Sequence, residues 1–270
     1  MKTEFNAKVL SFHGDHRRTR MTFREVAETV RDLRAPAMLV DVIPEDEIDA
    51  WWNDPGFPPI GGHEHHKGLM SSGLKLTMGQ LQRIDGDGLM QGIADYFAFA
   101  ATINGPMKQT RFVRFFEREL GASPMKFGPC SELMLATKRE YPPYDAAPHS
   151  FAPHCDSLDF GRDPRWPMKH NGEQLGAFVL IQRASNQAGF VLWDLRAGSR
   201  ADLDGWANEY AETSSIAAAK SARSIAVNPT NGQMVVFNSR YLHGIERCDS
   251  TRYTIGTFLI EHGGGWRLFD

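Results

Sequence analysis

The chain is poor in cysteine, carries no basic excess and contains no long apolar run. Its three cysteines, Cys130, Cys155 and Cys248, make neither a Cys-x-x-Cys pair nor an even framework. That argues against a disulfide-stapled secreted scaffold and for a reducing compartment. A formal charge of −3 lacks the cationic surplus of a protein whose main partner is a phosphate backbone, so nucleic acid is not an expected partner. No stretch approaches the length of a membrane span, and "MKTEFNAKVLSFHGDH" holds no apolar core of an export signal. The chain therefore reads as cytoplasmic, with no membrane partner. No Pro/Gly/Ser-rich linker, internal repeat or low-complexity tract divides it, so residues 1–270 are expected to form one domain.

What is present changes character part-way along. "TFREVAETVRDLRAP" combines a capping pair, Thr22 and Glu25, with Phe23, Val26, Val30 and Leu33 at helical spacing before Pro36. "AMLVDVI" (37–43) reads as a buried strand and "PEDEIDAWWND" as a short helix opened by Pro44. Two longer helices are expected over 87–104 and 107–120, separated by Gly105-Pro106. From about residue 131 come short β-type runs: 132–137, 176–182, 189–195, 224–227, 233–238 and 253–260, with turn sequences such as Pro229-Thr230-Asn231-Gly232 between them. Residues 199–222 interrupt them as a helical or loop insertion. A helix-rich part (about 1–130) packed on an antiparallel sandwich or barrel (about 131–270) is the architecture these patterns predict.

Two His-x-Asp triplets occur, His13-Gly14-Asp15 and His154-Cys155-Asp156, and a triplet alone means little. The second has a sequel. If 154–156 is extended, residues two apart project from one face, so His154 and Asp156 reach one ion while Cys155 turns to the core. His243 follows the strand ending near Asn238 and supplies a third ligand. Two imidazoles and one carboxylate on one triangular face leave three open positions, the arrangement of non-haem Fe(II) oxygen chemistry, whereas a zinc hydrolase keeps one. A 2-oxoglutarate co-substrate chelating that iron needs a fixed, bidentate cation for its far carboxylate. Arg252, nine residues after His243 at the start of the last strand, is expected to be that cation, with Arg247 as the competitor.

In the order of these residues the chain resembles the Fe(II)/2-oxoglutarate-dependent dioxygenase superfamily, and more closely the bacterial N-succinyl-L-amino-acid hydroxylases. The likeness covers most of the chain, including "LTMGQLQR" (76–83) and "HCDSLDFGRDPRW" (154–166). It implies a mainly β fold with N-terminal helices, a double-stranded β-helix or cupin-like jelly roll. It implies Fe(II), 2-oxoglutarate and O2 as cofactor and co-substrates, with His154, Asp156 and His243 as metal ligands and catalytic centre. It further implies hydroxylation of an aliphatic C–H in an N-succinyl hydrophobic L-amino acid, with 2-oxoglutarate decarboxylated to succinate and CO2. The succinyl carboxylate would be held by Gly79, Arg83 and Arg162, and Arg165 is a lesser candidate. Related halogenases carry a small residue where Asp156 stands, so Asp156 points to hydroxylation. A small molecule bearing carboxylates is thus the expected partner. Other readings of the same residues are a free amino acid or natural-product scaffold as substrate, or a non-catalytic cupin-like binding protein.

Phe151, Phe160 and Trp166 are candidate apolar walls beside the metal. "GGHEHHKG" (61–68) reads as a surface tract able to form a lid, and Trp51-Trp52 as a packing anchor.

Overall fold

The computed structural model describes residues 3–64, 69–72, 78–84, 86–128, 131–143, 145–168, 170 and 172–270. Strands β1 (Glu4–Leu10) and β2 (Arg17–Thr22) form a hairpin. Its turn runs through His13-Gly14-Asp15, with Gly14 at φ 86°, so the first His-x-Asp triplet serves chain reversal. Helix α1 (Phe23–Arg31) then starts as its capping pair predicts. Glu25 N donates to Thr22 Oγ1 while Glu25 Oε2 accepts from Thr22 N, pairing two otherwise orphaned amides. After β3 (Ala37–Asp41) and a 3-10 turn come α2 (Ile48–Trp52), β4 (Ile60–Glu64), β5 (Met70–Ser72) and α3 (Met78–Leu81). The long helices are α4 (Gly88–Met107) and α5 (Arg111–Leu120), the latter capped by Thr110 and ended by Gly121 at φ 65°. Short pieces β6 (Ser123–Pro124), β7 (Lys126–Phe127) and β8 (Ser131–Glu132) lead into β9 (Thr137–Tyr141), β10 (His149–His154), β11 (Gln174–Gln182) and β12 (Phe190–Arg196). An insertion carries α6 (Arg200–Thr213) and α7 (Ala217–Ser221), and β13 (Ser224–Val227), β14 (Gln233–Asn238), β15 (Tyr241–Glu246), β16 (Arg252–His262) and β17 (Gly265–Phe269) complete the chain.

From β9 to β16 the strands are shared between two antiparallel sheets. One has the order β14-β11-β16-β9, extended by β3, β1 and β2 on one side and by β5 and β4 on the other; the second has β10-β15-β12-β13. This is a double-stranded β-helix. Alternation along the strands explains how it closes. In β14, Met234 and Val236 pack on one side with α1, α4 and α5, while Val235 and Phe237 face into the barrel. In β11, Leu175, Ala177 and Val179 go to the helix side and Phe178 goes inward, so the run is apolar throughout because both faces are covered. Beneath the helices, Phe23 meets Phe115 and Phe116 edge-on at 4.9 and 5.5 Å. Burying each such ring stabilises the fold by about 1.5–3 kcal/mol. No helix among the described residues is long and apolar enough to cross a membrane.

Three local expectations need correction. Helix α4 runs through Gly105-Pro106 and stops at Met107, because a proline in the last turn forfeits one amide bond and the chain still closes with Lys108 N on Asn104 O at 3.0 Å. The strand expected over 132–137 begins instead at Thr137. Leu133–Ala136 are buried, but Met134 N is satisfied by Tyr96 Oη and Leu133 N by Met125 O, outside any long ladder. The helix-rich N-terminal part also supplies strands β1 to β5 to the large sheet. Of these β3 was expected from 37–43, whereas β1, β2, β4 and β5 are short or charged and their pattern is hidden.

Candidate active site

Strand β10 ends at His154, which lies directly opposite His243 of β15. Gly244 permits this approach, since a Cβ there would stand 3.1 Å from Phe151 O and 3.3 Å from Pro153 N. Asp156 lies just past the end of β10. Its backbone is held by Ser239, whose carbonyl accepts from Asp156 N at 2.8 Å and whose hydroxyl donates to Asp156 O at 3.0 Å. The three side chains converge: Asp156 Oδ2 is 3.2 Å from His243 Nε2 and 3.4 Å from His154 Nε2, and one ligand atom from each residue lies within 4.8 Å of the others.

Hydrogen bonding orients both rings. His154 Nδ1 is 2.8 Å from Ala152 O and His243 Nδ1 is 2.8 Å from Tyr241 O. A carbonyl only accepts, so each Nδ1 donates to its carbonyl and each Nε2 is the atom that faces Asp156. His243 is packed between Phe190 and Phe237, and burial, followed by the nearby His154, lowers its pKa and favours the neutral ring. Burial on its own would raise the Asp156 pKa, but the two imidazoles outweigh it and hold the carboxyl well below the usual carboxylate range. Two Nε2 atoms and a carboxylate converging on one point form a group that could hold a metal ion in place of the shared protons. The nitrogen and oxygen donors, on one triangular face, suit Fe(II).

Arg252, at the first position of β16, is fully buried. Its Nη1 donates to Ala188 O at 2.8 Å, but among the described residues Nε and Nη2 have no partner. The guanidinium lies over the rings of Tyr141 and Phe178, at 5.9 and 5.7 Å, and these rings line the same cavity as the triad. A buried cation with two unmet donors, beside a metal-ligand set, fits the far carboxylate of a dicarboxylic co-substrate. The competitor Arg247 is exposed.

No family model and no curated protein matches the chain. Among solved structures, an N-substituted L-amino acid dioxygenase from Burkholderia ambifaria AMMD is 42% identical over 100% of both chains, with a TM-score of 0.88. The structure of an N-substituted L-amino acid dioxygenase from that organism in complex with alpha-KG (2-oxoglutarate) is 41% identical over 100% of both chains, with a TM-score of 0.86. The chain belongs to the Fe(II)/2-oxoglutarate-dependent dioxygenases. Iron and 2-oxoglutarate are accordingly its cofactor and co-substrate.

In this dioxygenase the remaining candidate residues lie near the loop after Asp156. Arg83, just beyond α3, and Arg162 are exposed, and they share their surroundings with Arg200 of α6. Desolvation and then repulsion from Arg200 lower the Arg83 pKa, with Asp204 opposing, Arg162 adding to the repulsion, and Asp156 also near enough to oppose. Asp204 Oδ1 lies 2.8 Å from Arg200 Nη2 and 3.5 Å from Arg162 Nη2, one acid among three cations. Gly79 falls within α3; residues 73–77 of the preceding stretch and 65–68 of the expected lid lie outside the described residues, as does Cys130. Arg165 is committed elsewhere, in a bidentate pair with Asp163 at 2.8 and 3.0 Å.

Of the expected wall residues, Phe151 lines the cavity, joined by Phe178, Phe190, Phe237 and Phe258. Phe160 and Trp166 do not line it. Phe160 packs with Cys155, Leu242 and Trp206 behind the loop, and Trp166 donates from Nε1 to Leu158 O at 2.7 Å. A Cβ on Gly161 would lie 2.0 Å from Trp166 Cγ. With Trp166 buried and hydrogen-bonded it cannot yield, and overpacking of this kind costs about 1–3 kcal/mol. Gly161→Ala is expected to lower Tm by roughly 5 °C in a thermal melt; an unchanged Tm would show that the loop repacks freely.

Arg139 of β9, unmarked in the sequence reading, also lines the cavity and pairs through Nη2 with Asp270 Oδ1 at 2.9 Å. Burial pushes the Asp270 carboxyl up to about 6, against the pull of Arg139. Arg200 was missed because it lies in an insertion with no strand pattern, and Arg139 because "TKREY" reads as polar. Lysine-arginine inside a strand after a buried run was the available signal.

Proposed function

We propose that the protein hydroxylates an aliphatic C–H of an N-succinyl, or similarly N-acylated and acidic, hydrophobic L-amino acid. Fe(II), with 2-oxoglutarate and O2, supplies the oxidation, one oxygen atom going to the substrate carbon and the other to succinate as CO2 is lost. His154, Asp156 and His243 would hold the metal, and Arg252 would take the far carboxylate of 2-oxoglutarate through its two unmet donors. Ser239 and the two backbone carbonyls on Nδ1 keep the ligands aimed without the metal's help. The phenylalanine walls exclude water from the reacting carbon.

The observation that carries the substrate class is the cluster of Arg83, Arg162 and Arg200 around one acid. A surplus of local cations in a chain of net negative charge suits a ligand with two carboxylates. The solved relative is named for N-substituted L-amino acids, which agrees with this reading. Gly79 is assigned to the same arm from the family pattern.

Anaerobic loading with Fe(II) and 2-oxoglutarate, then admission of oxygen with and without N-succinyl-L-leucine, tests it. Succinate release coupled to a product heavier by one oxygen atom is expected. Succinate without such product would reject this substrate and retain the dioxygenase. Arg83→Ala is expected to raise KM for N-succinyl-L-leucine by roughly 10- to 100-fold, the loss of one charge-assisted hydrogen bond. Any turnover of free leucine should stay unaltered; an equal effect on both would remove Arg83 from the substrate site.

A further inference from the structure

Gln82 is 8% exposed, between the fully buried Leu81 and the exposed Arg83. A buried glutamine must find partners for its amide. Its Nε2 donates to Ser157 O at 2.6 Å, and its own backbone carbonyl accepts from Arg162 N at 2.8 Å. Ser157 directly follows Asp156, and Arg162 is the second arginine of the cluster. One residue therefore holds the loop near its metal end and near its arginine end. On the barrel side, Leu158 N donates to Gln174 Oε1 at 2.9 Å, and Ser239 Oγ lies within bonding distance of both Asp156 O and Gln174 O. At the far end, Gly86 N donates to Asp163 Oδ2 at 2.9 Å and Arg165 Nη2 donates to Gly86 O at 2.6 Å. The arm carrying Arg83 and the loop carrying Asp156 share one hydrogen-bonded frame.

We propose that Gln82 is a positioning residue that couples the arginine cluster to Asp156, so that an acidic substrate gathered by Arg83 and Arg162 sets the aim of the carboxylate beside the metal. The proposal rests on reading that cluster as the substrate site. The amide has a fixed reach, so a shift of Arg83 toward a carboxylate carries Gln82 with it and draws on the Ser157 carbonyl, one peptide from Asp156. A contiguous chain of this kind transmits displacement without any contact between substrate and ligand residue. With the amide gone, the arm stays tied to the arginine end of the loop but no longer to the residue beside Asp156, and consumption of 2-oxoglutarate no longer follows substrate occupancy.

Gln82→Leu and Gln82→Met both remove the amide, Met keeping nearly the length of the side chain. In the metal-free protein, amides of residues 157–163 are expected to exchange with solvent faster in both variants, while those of β14 keep their wild-type protection and Tm falls by roughly 5 °C. In the enzyme loaded with Fe(II) and 2-oxoglutarate, succinate formed per hydroxylated product is expected to rise by roughly three- to thirtyfold, with KM for 2-oxoglutarate unchanged. Wild-type exchange in the loop together with a wild-type succinate-to-product ratio would overturn the proposal, as would an equal decline of every kinetic parameter tracking a fall in Tm. Should Gln82→Leu not fold, Gln82→Met carries the test. If the wild type fails to hydroxylate N-succinyl-L-leucine, the substrate assignment falls by itself. Gln82 is then decided by loop exchange and substrate-free succinate release, and no change in either overturns its role.

Discussion

Asp156→Ala is expected to abolish iron-dependent turnover while leaving the fold intact. The carboxylate is the one anionic member of the His154, Asp156 and His243 set, and its Oδ2 stands 3.2 and 3.4 Å from the two Nε2 atoms. Removing it leaves two neutral imidazoles, which bind Fe(II) weakly and no longer neutralise its charge. Changes to residues that merely support ligands cost 10- to 100-fold, so loss of a ligand should exceed roughly 100-fold in activity. Folding should survive, because the backbone of Asp156 is held through Ser239 by bonds that do not involve its side chain. Equilibrium iron binding and thermal melts separate the two effects: Fe(II) should raise Tm of the wild type and leave that of Asp156→Ala unmoved. Stoichiometric iron and wild-type succinate release in the variant would remove Asp156 from the metal site.

The second large effect concerns Arg252. Its guanidinium is fully buried and, apart from Nη1 on Ala188 O, has no hydrogen-bond partner among the described residues. Burial lowers its pKa, with Tyr141, Cys248 and Glu246 pulling the other way. A buried charge without a partner destabilises the empty protein, so exchange for an apolar side chain of similar length should leave apo stability equal or higher. Arg252→Met is therefore expected to hold or raise apo Tm while raising KM for 2-oxoglutarate by two to three orders of magnitude, the roughly 3–5 kcal/mol of a broken buried ion pair. Arg252→Lys should fall between, since an ammonium offers a point charge in place of a planar fork. A co-substrate KM within a few-fold of wild type in Arg252→Met would move the role to another cation, such as Arg139, which lines the cavity.

Much of the jelly roll was legible where strands are covered on one face or both. Runs 176–182, 224–227, 233–238 and 253–260 fall on β11, β13, β14 and β16, because apolar side chains there must leave water. Strand β9 was not legible. Lys138 shields its cation over Trp52 and Phe57, at 5.0 Å from each ring, and Arg139 turns into the barrel, so a polar sequence forms a mostly buried strand. Strand β15 was hidden because His243 and Gly244 interrupt the apolar alternation for the sake of the site itself. Helix α4 outran its expected end because the cost of Pro106 falls on a single bond in its last turn.

For the site, the sequence by itself determined the chemistry: His154, Asp156, His243 and Arg252 have the side-chain types and order that iron and a dicarboxylic co-substrate demand, and side-chain chemistry survives any rearrangement of the chain. Only the tertiary structure decided which groups stand together. It left two donors of Arg252 unmet among the described residues, spent Arg165 on Asp163, placed Phe178 and Phe237 rather than Phe160 and Trp166 around the cavity, and brought Arg139 to the cavity, Arg200 beside Arg83 and Gln82 against Ser157 from distant segments. The reason is physical: whether a cation is spent on a neighbour or left for a ligand depends on distances of a few ångströms between residues far apart in the chain, and local sequence pattern does not encode those distances.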